Sequence, residues 1–367
     1  MACGGDLPVS ERIASTRVLA LRSEVLTPLT PEDPELGLRC EVLPFERVRL
    51  TPWVVTPEGP LDLASPDFDP LWIACNLGPG QGLFACLKAA LPLKLADIPE
   101  CPVPAVADLD PAVNSLPEPP SPCILPADGS DDGVQDFTVP LASALLIGGD
   151  LEVTMISQSA GSPDTADCAA VLLANASELP NDCLYAVQRV SVGPIERLLA
   201  LAASFGVDLP PELGEVPPPD QIPDGDRNPR ILDFSVVRVG ADGESFDLGP
   251  QPRGAVVTAN LGDTLKISTN VPAGDLQSFE VPINGGAGGS ETQTETLDGG
   301  WFRSWGDLLA NGSDDVMSIN EWTLTPGNQD VEETPPNGRA TLFYVLRDSR
   351  LGVDWWWISV EVPTPAP

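Results

Sequence analysis

The chain contains no histidine in its 367 residues. That removes Ser-His-Asp and Cys-His triads, imidazole-ligated metals and the commonest general base. Basic residues are scarce, with 19 Lys and Arg against 54 Asp and Glu, giving a net charge of −35. Nucleic acid and anionic lipid surfaces repel such a chain, so neither is an expected partner. No apolar run approaches the roughly 18 residues that a membrane-spanning helix requires. The eight cysteines include no Cys-x-x-Cys pair and none beyond Cys183. Without such pairs or any histidine, structural zinc is not expected.

What the chain does have is punctuation. Proline (42) and glycine (33) are frequent and helical periodicity is rare, which suits a mainly β protein with long loops. The length exceeds one ordinary core, and cysteines fill only the first half, so two domains are expected. The strongest β signal is Thr341–Val362 (TLFYVLRDSRLGVDWWWISVEV). Two β-branched and aromatic runs flank the polar, Gly-ended turn Arg347–Gly352, as in a hairpin. Alternation puts Leu342, Tyr344 and Leu346 on one face, and Trp356, Ile358, Val360 and Val362 on one face of the partner strand.

In the first half, Arg17–Val25 (RVLALRSEV), Arg47–Val55 (RVRLTPWVV) and Pro70–Cys75 (PLWIAC) read as strands. Val48 and Leu50 point inward, Pro52 marks a bulge or edge, and Trp53 and Val55 resume after it. Residues 76–133 interrupt this pattern with a Pro-rich insertion, and a loop so long needs staples. Cys75 with Cys86, Cys101 with Cys123 and Cys168 with Cys183 form local pairs, although six cysteines alone allow fifteen connectivities. Cys40 is left over. Strands return at Val134–Leu141, Leu151–Ser157 and Leu184–Val192. Ser162 as N-cap and Pro163 at N1 open a helix ending near Ala174. Pro194–Phe205 (PIERLLALAASF) repeats apolar residues at helical spacing and lacks the basic face of a membrane-surface helix, so it packs on the sandwich or junction.

The strand RVLALRSEV, the later PWVVTPEGP and the W-x-x-C strand of PLWIAC resemble the bacterial immunoglobulin-like domains of surface lipoproteins, in particular predicted outer-membrane lipoproteins of myxobacteria and their relatives. The resemblance implies a β-sandwich and an outer-membrane anchor, and implies no activity. Met1-Ala2-Cys3-Gly4-Gly5-Asp6 resembles the end of a lipobox after removal of a signal peptide, with Cys3 as the lipidated residue and Met1 as a start codon supplied on truncation. The expected organisation is therefore a tether (1–16) and an immunoglobulin-like sandwich (17–209) with insertion 76–133 and helices 163–174 and 194–205. A Pro-rich linker (210–227) and a second immunoglobulin-like sandwich (228–367) follow. Residues 284–290 (NGGAGGS) would form a flexible tip.

Candidate chemistry is thin. Gly78-Pro79-Gly80-Gln81-Gly82 misplaces the third glycine of a dinucleotide loop and lies in no βαβ unit. Asp224-Gly225-Asp226-Arg227-Asn228 offers oxygen donors at i, i+2 and i+4, a pattern calcium favours, so Asp224, Asp226 and Asn228 are candidate calcium ligands. Asp131, Asp132, Asp314 and Asp315 are weaker acidic sites. Otherwise no cofactor is expected. Trp355 and Trp357 lie opposite the core-facing Trp356. With Trp301 and Trp305 they form either a binding surface for protein or carbohydrate, or an internal contact in which Trp301–Leu309 covers them as a lid. The lid is the expectation. The functional expectation is a non-enzymatic, lipid-anchored envelope protein, periplasmic or surface-exposed, acting in binding, adhesion or structure. The alternative is a carbohydrate-binding protein or a hydrolase using two carboxylates.

Overall fold

The computed structural model describes residues 11–29, 32, 37–65, 68–82, 84–91, 93–104, 118–127, 133–159, 164–174, 182–204, 206, 216, 218, 221–282, 290–313, 319–327 and 330–363. Cys3, Asp131, Asp132, Asp314, Asp315, Ser162, Pro163, the 284–289 tip and half of the Pro-rich linker lie outside these ranges. The chain is mainly β. Its first half comprises β1 (Arg17–Thr27), β2 (Arg47–Thr56), β3 (Gly59–Pro60), β4 (Leu71–Leu77), α1 (Ala85–Ala90), β5 (Cys123–Ile124), β6 (Gln135–Thr138), α2 (Ser143–Leu146), β7 (Asp150–Gln158), α3 (Thr165–Ala174), β8 (Cys183–Ser191) and α4 (Ile195–Ser204). The second half comprises β9 (Asp233–Val239), β10 (Ser245–Gln251), β11 (Ala255–Thr258), β12 (Thr264–Asn270), β13 (Ser278–Pro282), β14 (Ser290–Thr294), β15 (Leu297–Arg303), β16 (Asp307–Leu308), β17 (Gly312–Ser313), β18 (Ile319–Thr323), β19 (Arg339–Asp348) and β20 (Val353–Glu361).

Four sheets stack face on face. Sheet I has strand order β5-β4-β7-β8 and sheet II has β1-β2-β3 with β6 also on β2. Sheet III runs β11-β20-β19-β15-β17 and sheet IV runs β10-β9-β12-β18-β16. Sheets I and II enclose one core, built from Leu21, Val48, Leu50 and Val54 against Trp72, Val153 and Met155. Sheets III and IV enclose another, from Leu342, Tyr344, Trp356 and Ile358 against Phe234, Val236, Leu265 and Trp322. Each is a β-sandwich. The outer face of sheet I is covered by helices, with Ile73 and Ile156 packed on Cys86, Ala169 and Leu172.

The unexpected layer is the seam between sheets II and III. Ala20, Trp53 and Val55 pack against Phe343, Val345, Val353 and Trp355 there. The strand β2 explains it. Register with β1 runs through Pro52 opposite Leu21, with shifts only between Val18 and Ala20 and between Val25 and Thr27. No bulge resets the alternation at Pro52, so Trp53 and Val55 face away from Val48 and Leu50. Of the expected bulge or edge, the edge is what forms at Pro52; Trp53 and Val55 turn to the far face, and the strand buries both faces. Pro52 is tolerated because β6 pairs only Arg47–Leu50 and β3 only Val55–Thr56, leaving a gap between them.

The chain also crosses this seam before β1. Arg303 N donates to Glu11 O and Ile13 N to Arg303 O, at 2.8 Å each, so Ile13 is fully buried against the second sandwich rather than hanging in a tether. All three disulfides form as the local pairs: Cys75–Cys86, Cys101–Cys123 and Cys168–Cys183. Cys40 is free and buried. Asp164, rather than Ser162, caps α3, its Oδ1 accepting from Asp167 N at 2.8 Å. The helix α4 packs Leu198 into the first core, as its apolar stripe requires.

Candidate functional site

The candidate aromatic surface is interior. Trp301 and Trp305 are 0% and 1% exposed and belong to the core between sheets III and IV. Trp301 lies 4.3 Å from Tyr344 between ring centroids. Trp305 donates Nε1–H to Glu332 O at 3.1 Å. Trp301 points away from the seam because β15 alternates like its neighbours, and Trp305, beyond the end of β15, joins the same core, so these two indoles form no lid over Trp355. The cover comes from the other sandwich. Trp53 stacks on Trp355 at 5.5 Å with planes 8° apart, and Phe343 meets Trp53 edge-on at 5.9 Å. Arg22 lays its guanidinium over the Trp355 ring at 4.5 Å. Trp357 is half-buried, lying against Gly254 and 6.4 Å from Trp53. As a surface for an external ligand these four tryptophans are occupied by the protein itself.

The expected calcium loop also comes apart. The Asp224 side chain is 65% exposed and pairs with Arg197 at 3.4 Å. Asn228 is a structural bridge: Nδ2 donates to Ser23 O and Oδ1 accepts from Val353 N, both at 2.8 Å. Asp226 alone turns inward. Its N–H donates to Glu41 Oε2 at 2.9 Å, and its carbonyl accepts from Cys40 N at 2.9 Å and Glu41 N at 3.2 Å. These bonds splice the connecting segment into the first sandwich, so Asp224, Asp226 and Asn228 cannot converge on one ion.

Asp226 instead meets two acids from distant parts of the chain. One carboxylate oxygen each from Asp226, Glu295 and Asp348 lies within 4.8 Å of the others, and all three residues are buried. Glu295 sits between β14 and β15, and Asp348 ends β19. The Asp348 Oδ1 accepts from Arg350 N at 2.9 Å and Gly352 N at 2.8 Å, which closes the hairpin turn. Gly352 is required there, because a Cβ would lie 2.0 Å from Asp348 Oδ2. Glu41 is the fourth acid. Arg350 is the cation among them: Nη2 donates to Glu41 Oε2 at 2.8 Å, and Nη1 reaches Glu295 Oε1 at 3.3 Å and Asp226 Oδ1 at 3.8 Å. Its guanidinium also lies over Phe279 at 5.0 Å.

Burial raises three of these acids, Asp226, Asp348 and Glu41. Desolvation, then Asp348, pushes Asp226 up to about 8; desolvation pushes Asp348 to about 6 and raises Glu41 against the pull of Arg350. Burial also raises the Cys40 thiol well above its usual value, and Asp226 adds to it. That thiol donates to Asp226 Oδ2 at 3.2 Å. In a Cys3→Ser background, a thiol reagent should therefore find no reactive group in the native protein and one after denaturation. Native-state labelling at the rate of a free thiol would contradict this placement.

A cavity of about 880 Å³ opens at the edge of the first sandwich, bordered by Phe68, Asp69, Trp72, Gln135 and Thr165. Among the described residues that line it, Asp69 is the one acid. Paired-carboxylate hydrolysis needs two, roughly 5–9.5 Å apart across the substrate.

No family model matches the chain, and no curated protein matches it in sequence. Among solved structures it is similar to dimeric latent PorU from Porphyromonas gingivalis, at 11% identity and a TM-score of 0.21. That alignment covers 97% of this chain and 24% of the other, so the chain spans about a quarter of PorU's length. A likeness at that score carries no argument about fold or function.

Proposed function

We propose that the chain is a non-enzymatic envelope protein, held at the outer membrane by a lipid on Cys3 and facing the periplasm or the cell exterior. Its two immunoglobulin-like sandwiches serve in binding, adhesion or as a structural subunit, and its partner is a protein or carbohydrate of that envelope. The observation that carries the reading is the set of three disulfides, which persist in oxidising compartments. They staple the Pro-rich insertion and α3 onto sheet I. The two-faced burial of β2 adds to it, since a stiff stack suits a spacer or scaffold better than a hinged enzyme.

Expression with the native leader in the source envelope tests the proposal. Mass spectrometry should find a diacylglyceryl group on Cys3, and the protein should fractionate with the outer membrane. Cys3→Ser should release it to the soluble fraction. Recovery of the unmodified wild type in the cytoplasm, with its cysteines reduced, would overturn the reading.

A further inference from the structure

The geometry points to a binding site for one hard divalent cation of the calcium class at the junction of the two sandwiches, ligated by Asp226, Glu295 and Asp348. Calcium binds oxygen at about 2.3–2.6 Å, so two ligands of one ion lie at most about 5 Å apart. The three carboxylates meet that limit, with one oxygen each inside a 4.8 Å span. Each arrives from a different part of the fold: the connecting segment, the β14–β15 corner and the closing hairpin turn.

Proximity of acids would be weak ground by itself. The independent observation is two orphaned oxygens. Asp226 Oδ1 and Asp348 Oδ2 are buried and receive no hydrogen bond. Asp226 is 0% exposed and Asp348 8%. A buried carboxylate oxygen left without a donor is costly, and such atoms are normally satisfied. The neighbouring donors are already committed. Arg350 directs its hydrogen bonds to Glu41 and Glu295 and stands 3.8 Å from Asp226 Oδ1, an ion pair beyond hydrogen-bond reach; Cys40 bonds the other Asp226 oxygen, and the turn amides bond the other Asp348 oxygen. Arg39 is engaged by Glu32, Glu46 and the Glu41 carbonyl. Arg197, whose charge also reaches Glu41, pairs with Glu32 and Asp224.

Arg350 is thus the one guanidinium paired with Asp226 and Glu295 and acting on Asp348. A divalent ion held by these three carboxylates adds positive charge where their oxygens converge. The all-carboxylate donor set and irregular approach suit calcium better than magnesium, which demands a near-octahedral shell and holds its water. Bound there, the ion joins the segment spliced to Cys40 and Glu41 of the first sandwich to the hairpin turn of the second. The inference does not depend on the envelope reading.

Calcium titrated by calorimetry into chelator-treated full-length protein tests it, with melting temperature as a second readout. One calcium per chain should bind with Kd on the order of 10⁻⁵–10⁻³ M, and melting temperature should rise with calcium. Glu295→Gln and Asp226→Asn, which keep side-chain shape, should weaken binding at least about tenfold. Without calcium both variants should melt close to the wild-type temperature, because each keeps the shape and an accepting oxygen of the residue it replaces. That result shows that they fold and that the loss is of a ligand. Asp224→Asn, outside the cluster, should bind as wild type does. No heat and no thermal shift at millimolar calcium would overturn the assignment. So would calcium binding that survives Glu295→Gln, or that is lost in Asp224→Asn.

Discussion

Replacing Trp53 with alanine should destabilise the protein by about 3–5 kcal/mol, the cost of emptying a large aromatic site in a packed interior. The indole is 3% exposed and fills the seam between the sandwiches, stacked on Trp355 and edge-on to Phe343. It contributes to neither sandwich core, so the loss falls on the contact between them. Thermal unfolding that is cooperative in the wild type should separate into two transitions in Trp53→Ala, one for each sandwich. Trp53→Phe should cost roughly half as much or less, because the indole N–H has no partner to lose and the ring face is retained. Calorimetry of both variants checks this. Equal losses in the two, or one unsplit transition in Trp53→Ala, would contradict the role assigned to the seam.

The second large effect is expected at Glu46. Its carboxylate and the Arg39 guanidinium are fully buried and paired, Arg39 Nη2 with Glu46 Oε1. Glu46 also accepts from Leu29 N at 3.0 Å and from Leu43 N at 2.8 Å, which holds the segment between β1 and β2. Burial alone lowers the Arg39 pKa, yet Glu46, followed by Glu32, outweighs it, so the guanidinium stays charged. Glu46→Ala therefore leaves a buried cation short of its main counter-charge and orphans two backbone donors. Breaking such a pair costs about 3–5 kcal/mol. Arg39→Met combined with Glu46→Leu should recover part of that loss, because the uncompensated charge leaves with its partner. Denaturant titration of the single and double variants decides the matter. A Glu46→Ala cost below about 1 kcal/mol would mean that water reaches Arg39.

Much of this architecture is legible from alternation. Leu342, Tyr344 and Leu346 share a core face with Trp356, Ile358 and Val360, as period-2 reading requires. The disulfides are legible because each bridge is local, closing 11, 22 or 15 residues. The strand β10 is not, since SFDLGPQ carries Asp, Gly and Pro and is largely exposed at a sheet edge. Its register with β9 shifts between Asp247 and Gly249, where Gly249 takes a positive φ of 69°. The four-residue β11 is missed because it lies parallel on β20, a pairing no hairpin rule encodes.

The seam and the acidic cluster were hidden for the same reason. Alternation says that Trp355 turns from the core, and it cannot say what waits there; the answer, Trp53, lies some 300 residues away. The local clue is at Pro52: as a bulge it resets the alternation, whereas as an edge it leaves the alternation unbroken and places Trp53 and Val55 on the far face. Asp226 was visible as an acidic loop residue. Glu295 had no motif at all, and Asp348 read as an ordinary turn residue. Their convergence is a property of tertiary docking.

The most direct measurement is the distance between the two outermost sheets. Spin labels at Tyr185→Cys on sheet I and Lys266→Cys on sheet IV, in a Cys3→Ser background, occupy exposed positions. Three inter-sheet gaps of about 10 Å place them roughly 30 Å apart, within reach of pulsed electron paramagnetic resonance. A stack fused through Trp53 and Trp355 predicts a single narrow distance distribution that broadens in Trp53→Ala. A broad or two-peaked distribution in the otherwise wild-type protein would contradict it.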